Sequence, residues 1–142
     1  MFSVVFPGQG SQIVGMGKSF YDKYDLVKNY FKEADETLNF SLSKLILEGP
    51  KSELDLTLNT QPAIFLISYS IFNVIKKEFN IDLNKANFFA GHSLGEYSAL
   101  SCAGYIKFSD TIKILKIRGE AMQNAVPKGI GGMVAILGSN LK

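Results

Sequence analysis

The sequence of 142 residues has few of the residues on which whole classes of proteins depend. Its only cysteine is Cys102 and its only histidine is His92, which excludes an internal disulfide framework and argues against a structural zinc site. Lysine and arginine outnumber aspartate and glutamate by only 15 to 13, and the lysines are dispersed. Nothing therefore favours a nucleic-acid partner, and we expect one globular domain without a metal.

Long hydrophobic runs are also absent. The longest uncharged stretch, Leu56–Ile75, contains several amide and hydroxyl side chains and is too polar to span a membrane. The first ten residues lack the basic and apolar regions of a secretory signal. We therefore expect a cytoplasmic protein with no membrane partner, in the reducing compartment that a lone cysteine suits.

Short apolar segments alternate with helical patterns along the chain. Phe2–Phe6 is rich in β-branched and aromatic residues and predicts a buried strand, and Phe88–Ala90 predicts the end of a second one. Met133–Leu137 predicts a further strand. Strands that alternate with helices predict an α/β fold with a parallel sheet.

Helical periodicity or boundary residues mark the stretches between these strands: Asp25–Leu38, Ser41–Leu47, a turn at Ser52, a buried helix ending near Phe79, Leu94–Ala103 and Phe108–Asn124. We expect Ser52 and Ser109 to cap the elements that follow them. Thr60 or Gln61 should cap the buried helix, because a proline such as Pro62 is tolerated in a first helical turn.

The segment Gly91-His92-Ser93-Leu94-Gly95 matches the G-x-S-x-G elbow, in which a serine lies on a sharp turn between a strand and a helix. Glycine is required on both sides because the two backbones pass so close that a Cβ would clash. The helix after Ser93 directs its unpaired N–H groups at any oxyanion formed there. Ser93 is thus a candidate nucleophile, the alternative being an ordinary serine in a glycine-bounded turn.

A second glycine-rich loop, Pro7–Gln12, follows the first predicted strand. It lies at the carboxyl edge of the sheet, where α/β proteins place their sites, and it could offer a backbone N–H as a second oxyanion donor. Taken alone, it equally fits a plain connecting turn.

Arg118 is the only arginine in the chain, against fourteen lysines. Helical spacing places it on an apolar face with Leu115 and Met122, an unusual position for a permanent charge. It either extends to solvent, pairs with an internal acid such as Glu96, or binds a substrate carboxylate with two parallel hydrogen bonds.

His92 is a poor candidate for the base that activates Ser93. Neighbouring side chains on an extended strand end point to opposite faces, whereas a base must reach the serine hydroxyl within about 2.6–3.2 Å. We expect His92 to stabilise the turn and Cys102 to be a small buried residue.

Two segments, Phe6–Gln12 and Gly91–Tyr97, lie about 80 residues apart and together resemble malonyl-CoA:acyl-carrier-protein transacylases and the related acyltransferase domains of fatty-acid and polyketide synthases. Three further segments are similar to that family, namely Leu47-Glu48-Gly49-Pro50, Asn59-Thr60-Gln61-Pro62-Ala63 and Arg118-Gly119-Glu120-Ala121-Met122. The resemblance runs through the whole chain in order.

This resemblance implies a role for five residues. Ser93 would be the nucleophile, and the N–H groups of Gln9 and Leu94 would form the oxyanion hole. Arg118 would bind the malonyl carboxylate, and Gln61 would line the site. The implied substrates are malonyl-CoA and the phosphopantetheine thiol of acyl carrier protein, with no metal or redox cofactor and a monomeric complete enzyme.

In the resembled family the histidine that activates the serine follows it in the second half of the chain, and no histidine follows Ser93 here. The resemblance therefore implies that residues 1–128 are the N-terminal part of the α/β acyltransferase core. Residues 129–142 would be the first strand of a largely missing ferredoxin-like subdomain. We expect a fragment or truncated product of a stand-alone enzyme, since Met1 directly precedes the first motif.

Two other functions remain open at this point. A serine esterase or thioesterase shares the elbow but requires neither the Gln9 loop nor Arg118. An inactive fragment is favoured by the missing histidine.

Overall fold

The computed structural model describes residues 1–126 and residue 130. In chain order the elements are β1 (Ser3–Phe6), α1 (Lys18–Lys23), α2 (Asp25–Leu38), α3 (Leu42–Glu48), α4 (Lys51–Leu54), α5 (Thr57–Glu78), a 3₁₀ turn (Leu83–Lys85), β2 (Phe88–Gly91), α6 (Leu94–Cys102) and α7 (Phe108–Asn124). The strand expected at Met133–Leu137 and the domain boundary expected after residue 128 lie outside the described residues.

The two strands pair in parallel, as expected for an α/β fold. Ser3 lies opposite Phe88 and Phe6 lies opposite Gly91, so both strands end at the same edge of the sheet. The loop after β1 and the turn after β2 therefore leave the sheet side by side, at the carboxyl edge where parallel sheets carry their sites.

Helix α5 lies in the middle of the helical layer, and apolar residues occupy almost every side of it. It contacts α2, α3, α6 and α7. The core around it is formed by fully buried side chains, among them Val27, Phe31, Leu42, Ile46, Phe65, Leu66, Ile112 and Leu115. Each such side chain contributes about 1.5–3 kcal/mol by leaving water, so this layer is the main source of stability.

The predicted start of α5 is wrong. The helix begins at Thr57, so Pro62 is its sixth residue and not part of a first turn. Asn59 Nδ2 donates to the Glu53 carbonyl at 2.9 Å and Thr60 Oγ1 donates to the Leu54 carbonyl at 2.6 Å. These side chains tie α5 to α4 instead of capping it.

The caps predicted at Ser52 and Ser109 are also wrong. Each serine is the second residue of its helix, and the N-cap positions are Pro50 and Lys107, without a side-chain hydrogen bond. Both N-caps have extended backbone, with ψ of 156° and 150°. Such a backbone is normal for an N-cap, and each helix begins one residue before the serine, so neither hydroxyl occupies the capping position.

Strand β1 is less buried than its apolar sequence predicts. Only Phe6 is buried, and Val5 is 72% exposed. Within residues 1–126, β1 pairs with β2 alone, and an apolar groove of about 500 Å³ lies between β1 and α5. A strand of a parallel sheet has a continuous apolar sequence when both faces of the sheet are covered. In the described residues, one face of β1 is open.

Cys102, at the end of α6, is a small buried residue as expected, and burial raises the pKa of its thiol to about 12. A helix at Lys18–Lys23 was not predicted; none of its residues is buried, so it carries little periodic signal. No helix among the described residues combines the length and the apolar character that crossing a membrane requires.

Candidate active site

Ser93 lies on a sharp turn between β2 and α6, as the elbow motif predicts. Its backbone angles are φ 56° and ψ −113°, outside the regions that non-glycine residues favour. Such a conformation costs of order 1–3 kcal/mol and persists only where the surrounding structure holds it. The turn carries the Ser93 side chain to the carboxyl edge of the sheet.

The two glycines of the motif are required by close backbone contacts. A Cβ on Gly91 would overlap the carbonyl group of Gly95 and lie 2.5 Å from the Glu96 nitrogen. A Cβ on Gly95 would lie 2.6 Å from the Phe6 oxygen and 2.9 Å from the Pro7 oxygen. The second contact shows that the elbow packs against the end of β1 as well as against its own strand.

The Pro7–Gln12 loop lies beside this elbow. A Cβ on Gly8 would lie 2.5 Å from His92 Nδ1, so the imidazole lies directly over the loop. On its other side the loop is held by hydrogen bonds from Gln9 Nε2 to Thr57 Oγ1 at 3.3 Å and from Gln12 Nε2 to Asp55 Oδ1 at 3.0 Å. Both glycine-rich segments are thus fixed side by side.

The backbone N–H groups of Gln9 and Leu94 have no hydrogen-bond acceptor within the described part of the chain. Leu94 is the first residue of α6, where an N–H has no partner inside its own helix. The positive end of the helix dipole lies at the same point. These free donors make an oxyanion hole chemically reasonable, and the assignment stays a prediction.

Arg118 reaches the elbow from α7. Its Nη2 donates to Ser93 Oγ at 3.1 Å and its Nη1 donates to Gln61 Oε1 at 2.6 Å. Its guanidinium also lies over the Tyr97 ring, 5.6 Å from the centroid. The structure therefore brings together Ser93, Arg118 and Gln61, which the sequence analysis singled out, and adds Tyr97.

The pairing of Arg118 with Glu96 that the sequence left open is not seen. Glu96 is exposed, and Arg118 forms no ion pair with any residue in the range 1–126. A guanidinium carries five N–H donors, and the two contacts above leave donors unused. A half-buried cation with spare planar donors beside a serine hydroxyl fits a carboxylate ligand.

Gln61 is fully buried on α5, 1% exposed. Its Oε1 accepts from Arg118, and its Nε2 lies 3.3 Å from Met122 Sδ. Both ends of the amide are thus engaged, so Gln61 holds the guanidinium in one orientation.

His92 is exposed, and no hydrogen bond joins its side chain to Ser93 in the part of the chain described. Its carbonyl accepts from the Gly95 N–H at 2.9 Å and its N–H donates to the Phe6 carbonyl at 3.3 Å. Its contacts are those of a residue that shapes the turn.

Two features near the site were not predicted from the sequence. They are Tyr97 and the pair formed by Lys116 and Asn59, whose Nζ and Oδ1 are 3.0 Å apart. A signal for Tyr97 was present, since a residue four positions after Ser93 lies on the same side of a helix. Burial lowers the pKa of Lys116.

We predict that Gly91→Ala destabilises the fold by more than about 3 kcal/mol, because the methyl group overlaps backbone atoms that cannot move independently. The control is Gly15→Ala, where φ is 86° but nothing lies within 4 Å of the added Cβ. Its cost should be only the roughly 1–2 kcal/mol of left-handed backbone strain. Urea unfolding measures both, and equal losses would contradict the packing argument.

Comparison with known proteins gives a consistent result. The acyl transferase domain family matches residues 3–140. The malonyl CoA-acyl carrier protein transacylase of Bacillus subtilis (strain 168) is 51% identical over 134 residues, which are 94% of this chain and 41% of that protein.

Solved structures of similar sequence agree with this family match. An acyl carrier protein S-malonyltransferase from Vibrio cholerae has a TM-score of 0.84 and 46% identity, covering 90% of this chain and 41% of that one. A malonyl-transacylase in complex with a type II PKS acyl-carrier protein has a TM-score of 0.81 and 43% identity, covering 90% and 40%. The chain thus spans about two fifths of the length of these relatives. It belongs to the acyl transferase domain family.

Proposed function

We propose that this chain is the nucleophile-bearing part of an enzyme of fatty-acid biosynthesis that transfers malonyl from malonyl-CoA to acyl carrier protein. The observation that carries the proposal is the hydrogen bond from Arg118 Nη2 to Ser93 Oγ at 3.1 Å. It places a guanidinium, a group suited to pairing with a carboxylate, in direct contact with the serine on the elbow. The names of the relatives support the same activity.

In the first half-reaction, Ser93 Oγ attacks the thioester carbonyl carbon of malonyl-CoA. Negative charge develops on the carbonyl oxygen, where the N–H groups of Gln9 and Leu94 would stabilise it. The carbon–sulfur bond breaks, coenzyme A leaves as the thiol by taking the proton that a general base removed from Ser93 Oγ, and a malonyl-serine ester remains.

Arg118 would bind the free carboxylate of the malonyl group. Gln61 keeps the guanidinium oriented, and the Tyr97 ring adds a second contact, with its centroid 5.6 Å from the guanidinium. In the second half-reaction the phosphopantetheine thiol of acyl carrier protein attacks the ester and releases Ser93. A relative found in complex with such a carrier protein supports this partner.

Ser93 needs a general base to take its proton. The family resemblance implies that this base is a histidine in the C-terminal part of the complete enzyme, after the segment that this chain matches. The only histidine of this chain is His92, whose side chain lies over Gly8. The steps written above use no metal or redox cofactor. We also propose that the complete enzyme is monomeric and cytoplasmic.

A serine esterase or thioesterase is the second candidate, and the elbow alone favours it. Such an enzyme has no use for a cation beside the nucleophile, so Arg118 argues against it. An inactive fragment is the third candidate, because this chain supplies no base.

We predict that the 142-residue chain alone transfers malonyl slowly, since a general base contributes about 10²–10⁴ in rate. Fusing residues 1–140 to the remaining part of the Bacillus subtilis relative should restore the transfer. Malonyl transfer to carrier protein is measured beside hydrolysis of p-nitrophenyl esters. Ester hydrolysis by the chimera without malonyl transfer would indicate an esterase, and full turnover by the short chain would refute the missing base.

Ser93→Ala should abolish the malonyl ester on the chimera, because the hydroxyl on the elbow is the group that attacks. The control is Ser98→Ala, which removes a buried hydroxyl from α6, the helix that follows the elbow. His92→Ala should retain the ester and lose stability. Intact mass after incubation with malonyl-CoA detects the label. The nucleophile assignment is wrong if Ser93→Ala is still labelled, and a loss of label in a folded His92→Ala protein would make that histidine catalytic.

Arg118→Ala should lower malonyl transfer by about 10²-fold or more and leave acetyl transfer unchanged or faster, because an acetyl group has no carboxylate to pair. Arg118→Lys should restore only part of the malonyl rate, since an ammonium lacks the planar pair of donors. The kcat/KM values for malonyl-CoA and acetyl-CoA are compared in the chimera. Equal losses for both substrates would show that Arg118 is structural.

A further inference from the structure

We propose that Gly119 is a positioning residue for the carboxylate site, because its missing side chain lets α7 cross α5 closely enough for Arg118 to reach Ser93. The link to acyl selectivity rests on the proposed function, whereas the link to the Arg118 position does not. Gly119 is buried in the interior of α7.

The contact at Gly119 is one between two backbones. A Cβ added there would lie 2.5 Å from Leu58 Cα, 2.7 Å from the Thr57 oxygen and 3.0 Å from the Leu58 nitrogen. No side chain stands between the helices at this point, so no rotamer change can make room. The two helices must separate to accept a methyl group.

Local propensity does not explain a glycine at this position. Glycine destabilises a helix interior relative to alanine, so residue 119 weakens α7 taken alone. Its presence is explained by the crossing, where the backbones approach too closely for any Cβ.

Hydrogen bonds fix the crossing on both sides of Gly119. Three residues earlier, Lys116 Nζ donates to Asn59 Oδ1 at 3.0 Å. Four residues later, Gln123 Oε1 accepts from the Thr57 N–H at 3.2 Å. The turns of α7 before and after Gly119 are therefore both bonded to the first turn of α5. These bonds fix the distance between the two helices at Gly119, and with it the backbone position of the neighbouring residue.

Arg118 is that next residue, and its position follows from the crossing. Ordinary van der Waals contact begins at 3.4 Å, so the 2.5 Å approach must grow by about 1 Å to admit a Cβ. A similar shift of Arg118 would move its Nη2 from 3.1 Å to roughly 4 Å from Ser93 Oγ, beyond hydrogen-bond range. A misplacement of about 1 Å costs up to about 10²-fold in rate.

The test uses the fact that Arg118 is the only arginine, so the 142-residue chain gives a single set of guanidinium signals in ¹⁵N NMR. In the unchanged chain the Nη signals should be resolved, because bonds to Gln61 and Ser93 slow rotation of the group. In Gly119→Ala they should average to the position of a free arginine. The control is Gly104→Ala, where φ is 87° and no atom lies within 4 Å, which loses stability by strain away from the crossing.

A second readout is acyl selectivity in the chimera. Gly119→Ala should lower the ratio of malonyl to acetyl transfer by at least tenfold. Gly104→Ala should leave this ratio unchanged. An unchanged ratio in Arg118→Ala would refute the carboxylate-binding role that the proposed function gives to Arg118, and the NMR signals would still decide the role of Gly119. Guanidinium signals in Gly119→Ala that match the unchanged chain would overturn the inference.

Lys116→Met keeps the inference testable if Gly119→Ala does not fold. It removes one of the two bonds that hold the crossing and introduces no clash, so it should broaden the guanidinium signals and lower the selectivity ratio by a few fold. Unaltered signals and selectivity in this variant would mean that the crossing does not set the position of Arg118.

Discussion

The close backbone contact at the elbow is the constraint on which the site depends. Gly95 lies against the carbonyl groups of Phe6 and Pro7, and Gly91 lies against Gly95. Three backbone segments therefore meet with no side chain between them, which leaves Ser93 a single path from strand to helix. The strained φ of 56° at Ser93 is the result. Its cost is small beside the apolar burial of the helical layer, so the fold can maintain it.

The fold could be predicted where the signal is periodic and local. The limits of Asp25–Leu38 and Phe108–Asn124 agree with the structure, because an amphipathic pattern bounded by polar residues depends little on distant contacts. The predicted start of α5 was wrong because the side chains of Asn59 and Thr60 donate to carbonyls of α4 and do not cap a helix. Contacts between two helices accompany that boundary. Capping preferences consider only the residues of one segment, so they do not predict such contacts.

The site shows the same division. The elbow could be predicted because its glycines and serine are adjacent in sequence and their geometry is local. The meeting of Ser93, Gln61 and Arg118 was expected only from a family resemblance, since they lie on three different helices or their ends. Gly119 was named in a motif without a role, because its contact with α5 appears only once the helices cross.

The choice of arginine at position 118 can be argued from a comparison within α7. Lys116 lies two residues earlier, half-buried against α5, and burial lowers its pKa because an ammonium loses hydration there. Its Nζ donates to the amide oxygen of Asn59 and lies 4.0 Å from a Glu120 carboxylate oxygen. A lysine at 118 would meet the same loss of hydration without a fixed orientation. A guanidinium keeps its charge in such a place and spreads its donors in a plane, so it can bond to Gln61 and Ser93 at once. The single arginine among fourteen lysines thus stands where both properties are needed.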